Sequence, residues 1–349
     1  MMLSRWKIAE CFLLPVLHRL DPERAHDLAV AALRAGLPSG ARTRQPSSLQ
    51  TEVFGLRFPS PLGLAAGFDK NAEVVGPLFR LEFGFVEVGT LTPQPQRGNP
   101  KPRLFRSPGE HALTNRMGLN NCGFDEAEQH LRSIQNRSGV VGVSLGSNTN
   151  TSDKIADYVE GVARFCELAD YFVLNLSCPN TVDGRSLQET AALEQLLRRI
   201  SDRRVGKTPL LIKIAPDISA RQERAIAGFA ANGVVDGLVI SNTQPVDRGG
   251  LSGRPLFESS TQQLSRMYAM THGRVPLVGV GGVFTAEDAY AKIRAGASLV
   301  QIYTALVYEG TGVVERIHAG LARLLERDGY AHVRDAVGKD ACGKSQAVA

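Results

Sequence analysis

The stretch Tyr171-Phe172-Val173-Leu174-Asn175-Leu176-Ser177-Cys178-Pro179-Asn180 passes directly from an apolar run into amides, a hydroxyl and a thiol. Strands buried in parallel sheets read as such apolar runs, and in a closed barrel the residues that follow a strand face the catalytic mouth. An amide suits the edge of a planar heterocycle because it both donates and accepts hydrogen bonds, and a thiol can act as a base. Taken alone, the stretch is more simply an Asx turn beside a buried cysteine.

The rest of the chain repeats this pattern, because apolar runs alternate with helical patterns eight times. Strands are predicted at 62–65, 85–88, 140–145, 171–176, 210–214, 237–240, 276–280 and 299–303. Helices are predicted at 71–82, 124–136, 153–168, 187–201, 219–231, 257–271, 285–295 and 313–327. Eight strand–helix units with predominantly apolar strands predict an α/β fold, a closed (β/α)8 TIM barrel, preceded by a small hairpin at 50–60.

The chain divides into three predicted parts. Residues 1–45 form a helical extension of two helices, the second of which begins at Asp21-Pro22-Glu23 with a capping residue and a proline at N1. Residues 46–334 form the barrel, and 335–349 are predicted to be a disordered tail. The apolar faces and basic residues of the extension fit equally well with packing on the barrel and with contact to a membrane surface.

Composition excludes several classes of protein. The net charge of +5 is spread without a basic run, so no nucleic-acid partner is expected. Five cysteines without a CxxC spacing argue against a zinc site or a disulfide framework, and no metal site is predicted. No apolar run of about 18 residues is present, and the N-terminus lacks a small-residue cleavage site, so we interpret it as part of the mature chain.

Two other strand ends carry groups that call for an explanation. The glycine cluster 279–282, after the seventh strand, is either a plain tight turn or a phosphate cradle of backbone N–H groups. Lys213 lies inside a strand, where its charge is costly unless it is ion-paired or stabilises negative charge on a reduced cofactor. HExxH, paired-carboxylate and Ser-His-Asp patterns do not stand out. The remaining groups suit a flat polar anion and a phosphate-bearing cofactor rather than hydrolysis.

With these features the chain resembles the dihydroorotate dehydrogenases, specifically the class 2, membrane-associated, quinone-reducing kind. The resemblance runs over nearly the whole chain, from 20 to 304. The motifs that carry it are AGFDKN (66–71), EVGTLTPQPQRGNPKPRLFR (87–106), NRMG (115–118), NLSCPN (175–180), KIAPD (213–217), GGLSGRP (249–255), GVGG (279–282) and ASLVQIYT (297–304).

The resemblance implies an FMN cofactor, a dihydroorotate or orotate ligand and a quinone, and it assigns residues to each. FMN would be held by Ala66, Gly67, Thr90, Ser144, Asn175, Lys213, Ser241, Gly253, Gly282, Tyr303 and Thr304. The substrate would contact Lys70, Asn115, Arg116, Met117, Gly118, Leu119, Asn175, Asn180, Asn242 and Thr243. Cys178 would be the catalytic base, with Lys213 offsetting charge on the flavin.

For the quinone, the resemblance implies a site near His26 and Arg106, with the extension in contact with the membrane. The implied location is the cytoplasmic side of the cell inner membrane, as a peripheral protein. The implied reaction removes a proton from C5 and a hydride from C6 of dihydroorotate, within pyrimidine (UMP) biosynthesis.

The sequence differs from the family pattern at four points. Cys178 stands where class 2 members usually carry Ser, Ser144 stands where an FMN-contacting Asn is usual, and Leu119 replaces a Phe. Residues 244–248 replace a much longer flexible loop. Two other functions therefore stay open: an FMN oxidoreductase acting on another cyclic imide or amide, and a catalytically weak flavin-binding paralogue.

Overall fold

The computed structural model describes residues 13–37, 45–134, 138–177, 190–203 and 206–341. The strands in chain order are β1 (Thr51–Val53), β2 (Leu56–Phe58), β3 (Leu62–Leu64), β4 (Phe85–Leu91), β5 (Leu104–Ser107), β6 (Ala112–Asn115), β7 (Val140–Leu145), β8 (Tyr171–Asn175), β9 (Leu210–Ile214), β10 (Gly237–Ile240), β11 (Gln244–Val246), β12 (Gly249–Gly253), β13 (Leu277–Val280) and β14 (Ala297–Ile302). The helices are α1 (13–19), α2 (Pro22–Arg34), α3 (Val75–Arg80), α4 (Gly123–Ser133), α5 (Lys154–Phe165), α6 (Thr190–Arg203), α7 (Ala220–Ala231), α8 (Phe257–Met270), α9 (Ala286–Arg294), α10 (Thr304–Glu309) and α11 (Gly312–Arg327).

The predicted parallel barrel is confirmed. Strands β3, β4, β7, β8, β9, β10, β13 and β14 pair in that order and close when β14 pairs with β3. Aromatic rings fill the interior below the mouth, and glycines on neighbouring strands make room for them. A Cβ at Gly63 would lie 2.4 Å from the ring of Phe85, and one at Gly142 would lie 2.1 Å from that of Tyr171. The barrel is therefore a packed core whose open space lies at the carboxyl ends of the strands.

A second sheet, which the sequence analysis did not predict, lies at the mouth. It is antiparallel with the order β11-β12-β6-β5 and joins residues from two distant parts of the chain. The short segment after Thr243 forms its β11–β12 hairpin, in which Asp247 and Arg248 connect the strands. The segment in which the resemblance implies a long flexible loop is thus a tight hairpin held in a sheet.

The extension packs on the barrel through α2. As predicted, Asp21 caps this helix by accepting hydrogen bonds from the N–H groups of Glu23 and Arg24. The buried carboxylate of Glu23 accepts a 2.7 Å bond from Arg103, which is also buried, and Leu33 joins the main hydrophobic core. The other side of the extension exposes large apolar side chains: Leu13, Val16, Leu20, Leu28 and Leu37.

Two predicted boundaries need correction. Helix α3 begins at Val75 rather than at 71, because the carboxylate of Asp69 accepts hydrogen bonds from Glu73 N and Val74 N and so holds the preceding residues in a turn. At the other end, residues 335–341 belong to the ordered body rather than to a disordered tail. Gly338 N donates to Ile293 O at 3.1 Å, and Ala341 is buried. Residues 342–349 lie outside the described residues.

Candidate active site

A cavity opens at the carboxyl end of the barrel, roofed by the second sheet. Its volume, with the open mouth included, is about 1330 Å³. Most of the predicted site residues line it: Ala66, Gly67, Lys70, Thr90, Asn115, Met117, Gly118, Leu119, Asn175, Lys213, Ser241, Asn242, Thr243, Gly253, Gly282, Tyr303 and Thr304, together with His26. Residues from seven barrel strands and from the extension therefore meet in one place.

Amide and hydroxyl side chains on one side of the cavity are hydrogen-bonded to one another. Asn175 Nδ2 donates to Thr90 Oγ1 at 2.8 Å. Asn242 Nδ2 donates to Ser177 Oγ at 2.9 Å and to Asn175 Oδ1 at 3.3 Å, while Asn242 Oδ1 accepts from Thr243 N. Because each amide is fixed by a neighbour, its orientation toward a planar ligand is set before the ligand arrives.

Ser144 lies behind this wall rather than in it. Its side chain is fully buried, and its hydroxyl is 3.0 Å from Thr90 Oγ1, which does line the cavity. The contact of the Ser144 side chain in this structure is with Thr90. Direct contact of Ser144 with a cofactor, which the resemblance implies, stays a prediction.

Lys213 stands in the cavity wall with its side chain 7% exposed. Among the described residues it has neither a hydrogen bond nor an ion pair within 4 Å, although the carboxyl of Glu87 acts on it electrostatically. Burial raises the pKa of Glu87, and the positive charge of Lys213 opposes that rise. A buried ammonium that faces a cavity without a direct partner is unfavourable by itself, so binding of an anion in the cavity would stabilise it.

Lys70 and His26 lie at the side of the cavity toward the extension, 3.5 Å apart. Burial lowers the pKa of Lys70 to about 8, against the attraction of Asp27 and Glu23. Burial, followed by repulsion from Lys70, lowers the pKa of His26 to about 3, so this ring is neutral at physiological pH. Lys70 is therefore the cation of this corner, and its charge is lost as the pH rises through about 8.

The opposite side of the cavity is made of backbone. Gly253, Gly281 and Gly282 have φ values of +101°, +110° and +73°, which side chains rarely adopt. A Cβ at Gly282 would lie 2.5 Å from the backbone of Phe257. Next to these glycines Thr304 Oγ1 donates to Ser252 Oγ at 3.0 Å. Such a concave, glycine-lined turn with hydroxyls beside it fits a phosphate group.

Two assigned arginines do not line this cavity. The guanidinium of Arg116 turns away and donates to Pro102 O at 2.9 Å. That of Arg106 donates to His18 O at 2.8 Å and to Leu20 O at 3.1 Å, so it holds the connection between α1 and α2. Cys178 and Asn180 lie outside the described residues.

Sequence reasoning missed a buried polar group next to Lys213. Glu87 Oε2 accepts a 2.6 Å hydrogen bond from Gln301, which lines the cavity, and lies 3.5 Å from the hydroxyl of Tyr171. The signal was present, because Glu87 is a charged residue inside an apolar strand, as Lys213 is. A buried acid facing a buried cation across a barrel is a pattern that strand-end residues alone do not reveal.

The amino-acid sequence of this chain is similar to those of known proteins. The family described as dihydroorotate dehydrogenase matches residues 48–325. A protein of Parvibaculum lavamentivorans named dihydroorotate dehydrogenase (quinone) is 50% identical over 93% of this chain and 97% of its own length. One of the same name from Bradyrhizobium diazoefficiens is 47% identical, with 94% of both chains covered.

Solved structures agree with this likeness. The ligand-free DHODH of Eimeria tenella superimposes with a TM-score of 0.87 at 39% identity, covering 92% of this chain and 99% of that one. The complex of Eimeria tenella DHODH with ferulenol gives a TM-score of 0.86 at 40% identity, over 92% of this chain and 96% of the other.

Proposed function

Because this chain belongs to the dihydroorotate dehydrogenase family, in its quinone-dependent class, we propose that its cavity oxidises dihydroorotate to orotate and passes the electrons to a quinone. The reaction is a step of pyrimidine biosynthesis. The observation that carries the proposal is the meeting of Lys70, Lys213, Asn175 and Asn242 around one cavity whose far side is a glycine turn. Two cations, two fixed amides and a phosphate cradle match a flat anionic substrate beside a phosphate-bearing flavin.

We propose FMN as the flavin of this protein, and the residues that line the cavity suit both its phosphate and its ring. The glycine turn at 281–282 and the hydroxyls of Ser252 and Thr304 would hold its phosphate. Lys213, which lacks a direct partner among the described residues, would offset negative charge at the ring. A bound FMN would supply the redox chemistry that links hydride removal from C6 of dihydroorotate to reduction of the quinone.

The remaining steps belong to side chains of this protein. The ammonium of Lys70 would bind the substrate carboxylate, and the amides of Asn175 and Asn242 would fix the edges of its ring. Cys178 would take the proton from C5, a role for which a thiolate with a reference pKa of about 8.5 is chemically suited. With Cys178→Ala, flavin reduction by dihydroorotate should slow severely while reoxidation by quinone stays near normal.

The quinone would bind between the extension and the barrel, near His26 and Arg106. Arg106 Nε is buried and has no hydrogen-bond partner among the described residues, so it remains available to a carbonyl oxygen. Phe68 packs edge-on against His26 with ring centroids 5.1 Å apart, which adds an apolar aromatic surface at this side. An uncharged histidine, a free N–H donor and aromatic rings suit a neutral, flat electron acceptor.

Contact with a membrane would supply that quinone. The exposed apolar side chains of α1 and α2 support a peripheral attachment, in our proposal on the cytoplasmic side of the inner membrane. No helix among the described residues is long and apolar enough to cross a bilayer. Full-length protein should float with anionic lipid vesicles, and Leu13→Ser/Val16→Ser/Leu28→Ser should not. Val234→Ser, which changes an exposed apolar residue of the barrel, is the matched control.

Steady-state turnover tests the proposal as a whole. Purified protein should contain FMN in about a one-to-one ratio and should reduce a soluble quinone analogue when dihydroorotate is supplied. The tight β11–β12 hairpin favours one second candidate, oxidation of another cyclic imide or amide. This hairpin is shorter than the loop that the resemblance implies, so less of the chain covers the substrate. A yellow protein that ignores dihydroorotate but is reduced by a related imide would favour that candidate.

A further inference from the structure

Lys292 is a buried charge that the proposed reaction does not use. It lies on α9, is fully buried, and its ammonium donates to Ser260 Oγ at 2.8 Å and to Thr261 Oγ1 at 3.0 Å. It also lies 5.3 Å from the centre of the Phe257 ring. All of these partners are neutral. Burial lowers the pKa of Lys292 to about 7, against the attraction of Asp288.

Among the described residues, Asp288 is the acid that acts on Lys292, and its carboxylate is already hydrogen-bonded. The carboxylate of Asp288 accepts 2.9 Å hydrogen bonds from the backbone of Phe284 and Thr285 and so caps its own helix. A buried ammonium without a carboxylate partner is unfavourable unless another negative charge compensates it. A bound anion would supply such a charge and keep Lys292 protonated.

The position of Lys292 indicates where a ligand that supplies this negative charge would bind. Its hydrogen-bond partner Ser260 donates to Leu256 O at 2.6 Å and lies 3.3 Å from Gly281 O. Leu256 and Gly281 both line the cavity on its glycine side. A Cβ at Gly279 would lie 3.2 Å from Lys292 Cδ. The lysine stem therefore runs along the back of the turn 279–282. Its ammonium is separated from the cavity by the Ser260 side chain and the backbone of Gly281.

We propose that Lys292 is a positioning residue for the phosphate of the flavin, attracting it from behind the glycine turn without touching it. The inference rests on the proposed FMN site. Across a dry wall of protein, where the effective dielectric constant is far below that of water, a charge acts over several ångströms. Because the cation stands behind the turn, the backbone N–H groups keep the space next to the phosphate.

A structural role predicts a different outcome, and riboflavin separates the two. Riboflavin has the ring of FMN without the phosphate, so a charge that acts on the phosphate affects FMN alone. The FMN holoenzyme is diluted in steps and the released flavin is measured by its fluorescence. The measurement is repeated after FMN has been exchanged for riboflavin. In Lys292→Met the Kd for FMN should rise about 10- to 50-fold, equivalent to about 1.4 to 2.3 kcal/mol, while that for riboflavin stays within about twofold.

Two further variants sharpen the result. Lys292→Gln keeps N–H donors for Ser260 and Thr261 without the charge, and it should show the same FMN-specific loss. Lys207→Met removes an exposed lysine and should change neither affinity. If Lys292→Met and Lys292→Gln weaken both flavins equally, or if Gln restores FMN binding, the charge is not what matters and the inference is overturned. A wild-type protein that retains neither flavin overturns the proposed cofactor, and the inference with it.

Discussion

The two walls of the cavity are built by different means. One, the side-chain wall, consists of Lys70, Thr90, Asn175 and Asn242. Thr90, Asn175 and Asn242 are hydrogen-bonded to one another, and the ammonium of Lys70 is placed to bind an anion. The other, the glycine wall, consists of Gly253, Gly281 and Gly282, where neighbouring backbone or the Ser260 side chain leaves no room for a Cβ. The side-chain wall can distinguish substrates by their polar groups, whereas the glycine wall recognises little more than shape and negative charge. Changes to Lys70 and Asn242 in the side-chain wall should alter substrate affinity, and changes to the glycine wall should weaken cofactor binding.

Gly282→Ala should have the largest effect, because it breaks the glycine wall. The new Cβ would lie 2.5 Å from the backbone of Phe257, and φ of +73° adds strain. We expect FMN affinity to fall by more than about 100-fold, equivalent to about 2.7 kcal/mol, in a titration followed by flavin fluorescence. Gly228→Ala is the control, since nothing lies within 4 Å of its Cβ and its place in α7 favours alanine. Normal FMN affinity in Gly282→Ala would contradict the tight wall.

Asn242→Ala breaks the side-chain wall instead. It removes donors to Asn175 and Ser177 and an edge for the substrate ring. Losing such bonds costs about 1.5 to 3 kcal/mol, so the Kd for dihydroorotate should rise about 10- to 150-fold while FMN content stays normal. Rapid-mixing measurements of flavin reduction over a range of dihydroorotate concentrations check this, with exposed Asn232→Ala as the control. A loss of FMN with unchanged substrate affinity would mean that the walls are assigned the wrong way round.

The charge of Lys70 gives the side-chain wall a pH dependence. The lowered pKa of about 8 in the free protein means that the ammonium is present below that pH and lost above it. Dihydroorotate affinity should therefore be constant below about pH 8 and fall about tenfold per pH unit above it, and this fall should be absent in Lys70→Met. FMN affinity measured in the same samples serves as the reference. Unchanged dihydroorotate affinity up to pH 10 in the wild type would exclude Lys70 as the carboxylate ligand.

Ser144→Ala should have the smallest effect, because Ser144 stands behind the wall. Thr90 would lose one hydroxyl partner and keep Asn175, which costs about 1 kcal/mol or a three- to tenfold rise in the Kd for FMN. Titration of FMN into the variant, with exposed Ser133→Ala alongside, measures it. A loss of 100-fold or more would mean that Ser144 contacts the cofactor directly.

The barrel could be predicted from the sequence because its strands are buried on both faces and read as continuous apolar runs. Most of the site followed, since the end of a parallel barrel strand defines where the next polar residue lies. The sheet at the mouth could not be predicted. Its halves β5–β6 and β11–β12 lie far apart in sequence, and strands of three to five residues, one of them rich in Gly, carry no clear alternation. The direction of a long side chain was equally inaccessible, as Arg116 shows by turning to Pro102.

The central claim is that the two walls hold dihydroorotate and FMN next to each other, and an anaerobic titration tests it most directly. Purified protein, yellow from its flavin, is mixed with dihydroorotate in the absence of oxygen and of any quinone. The flavin absorbance should bleach with one equivalent of dihydroorotate, orotate should appear in the same amount, and a quinone should restore the colour. A flavin that stays oxidised in excess dihydroorotate would contradict it.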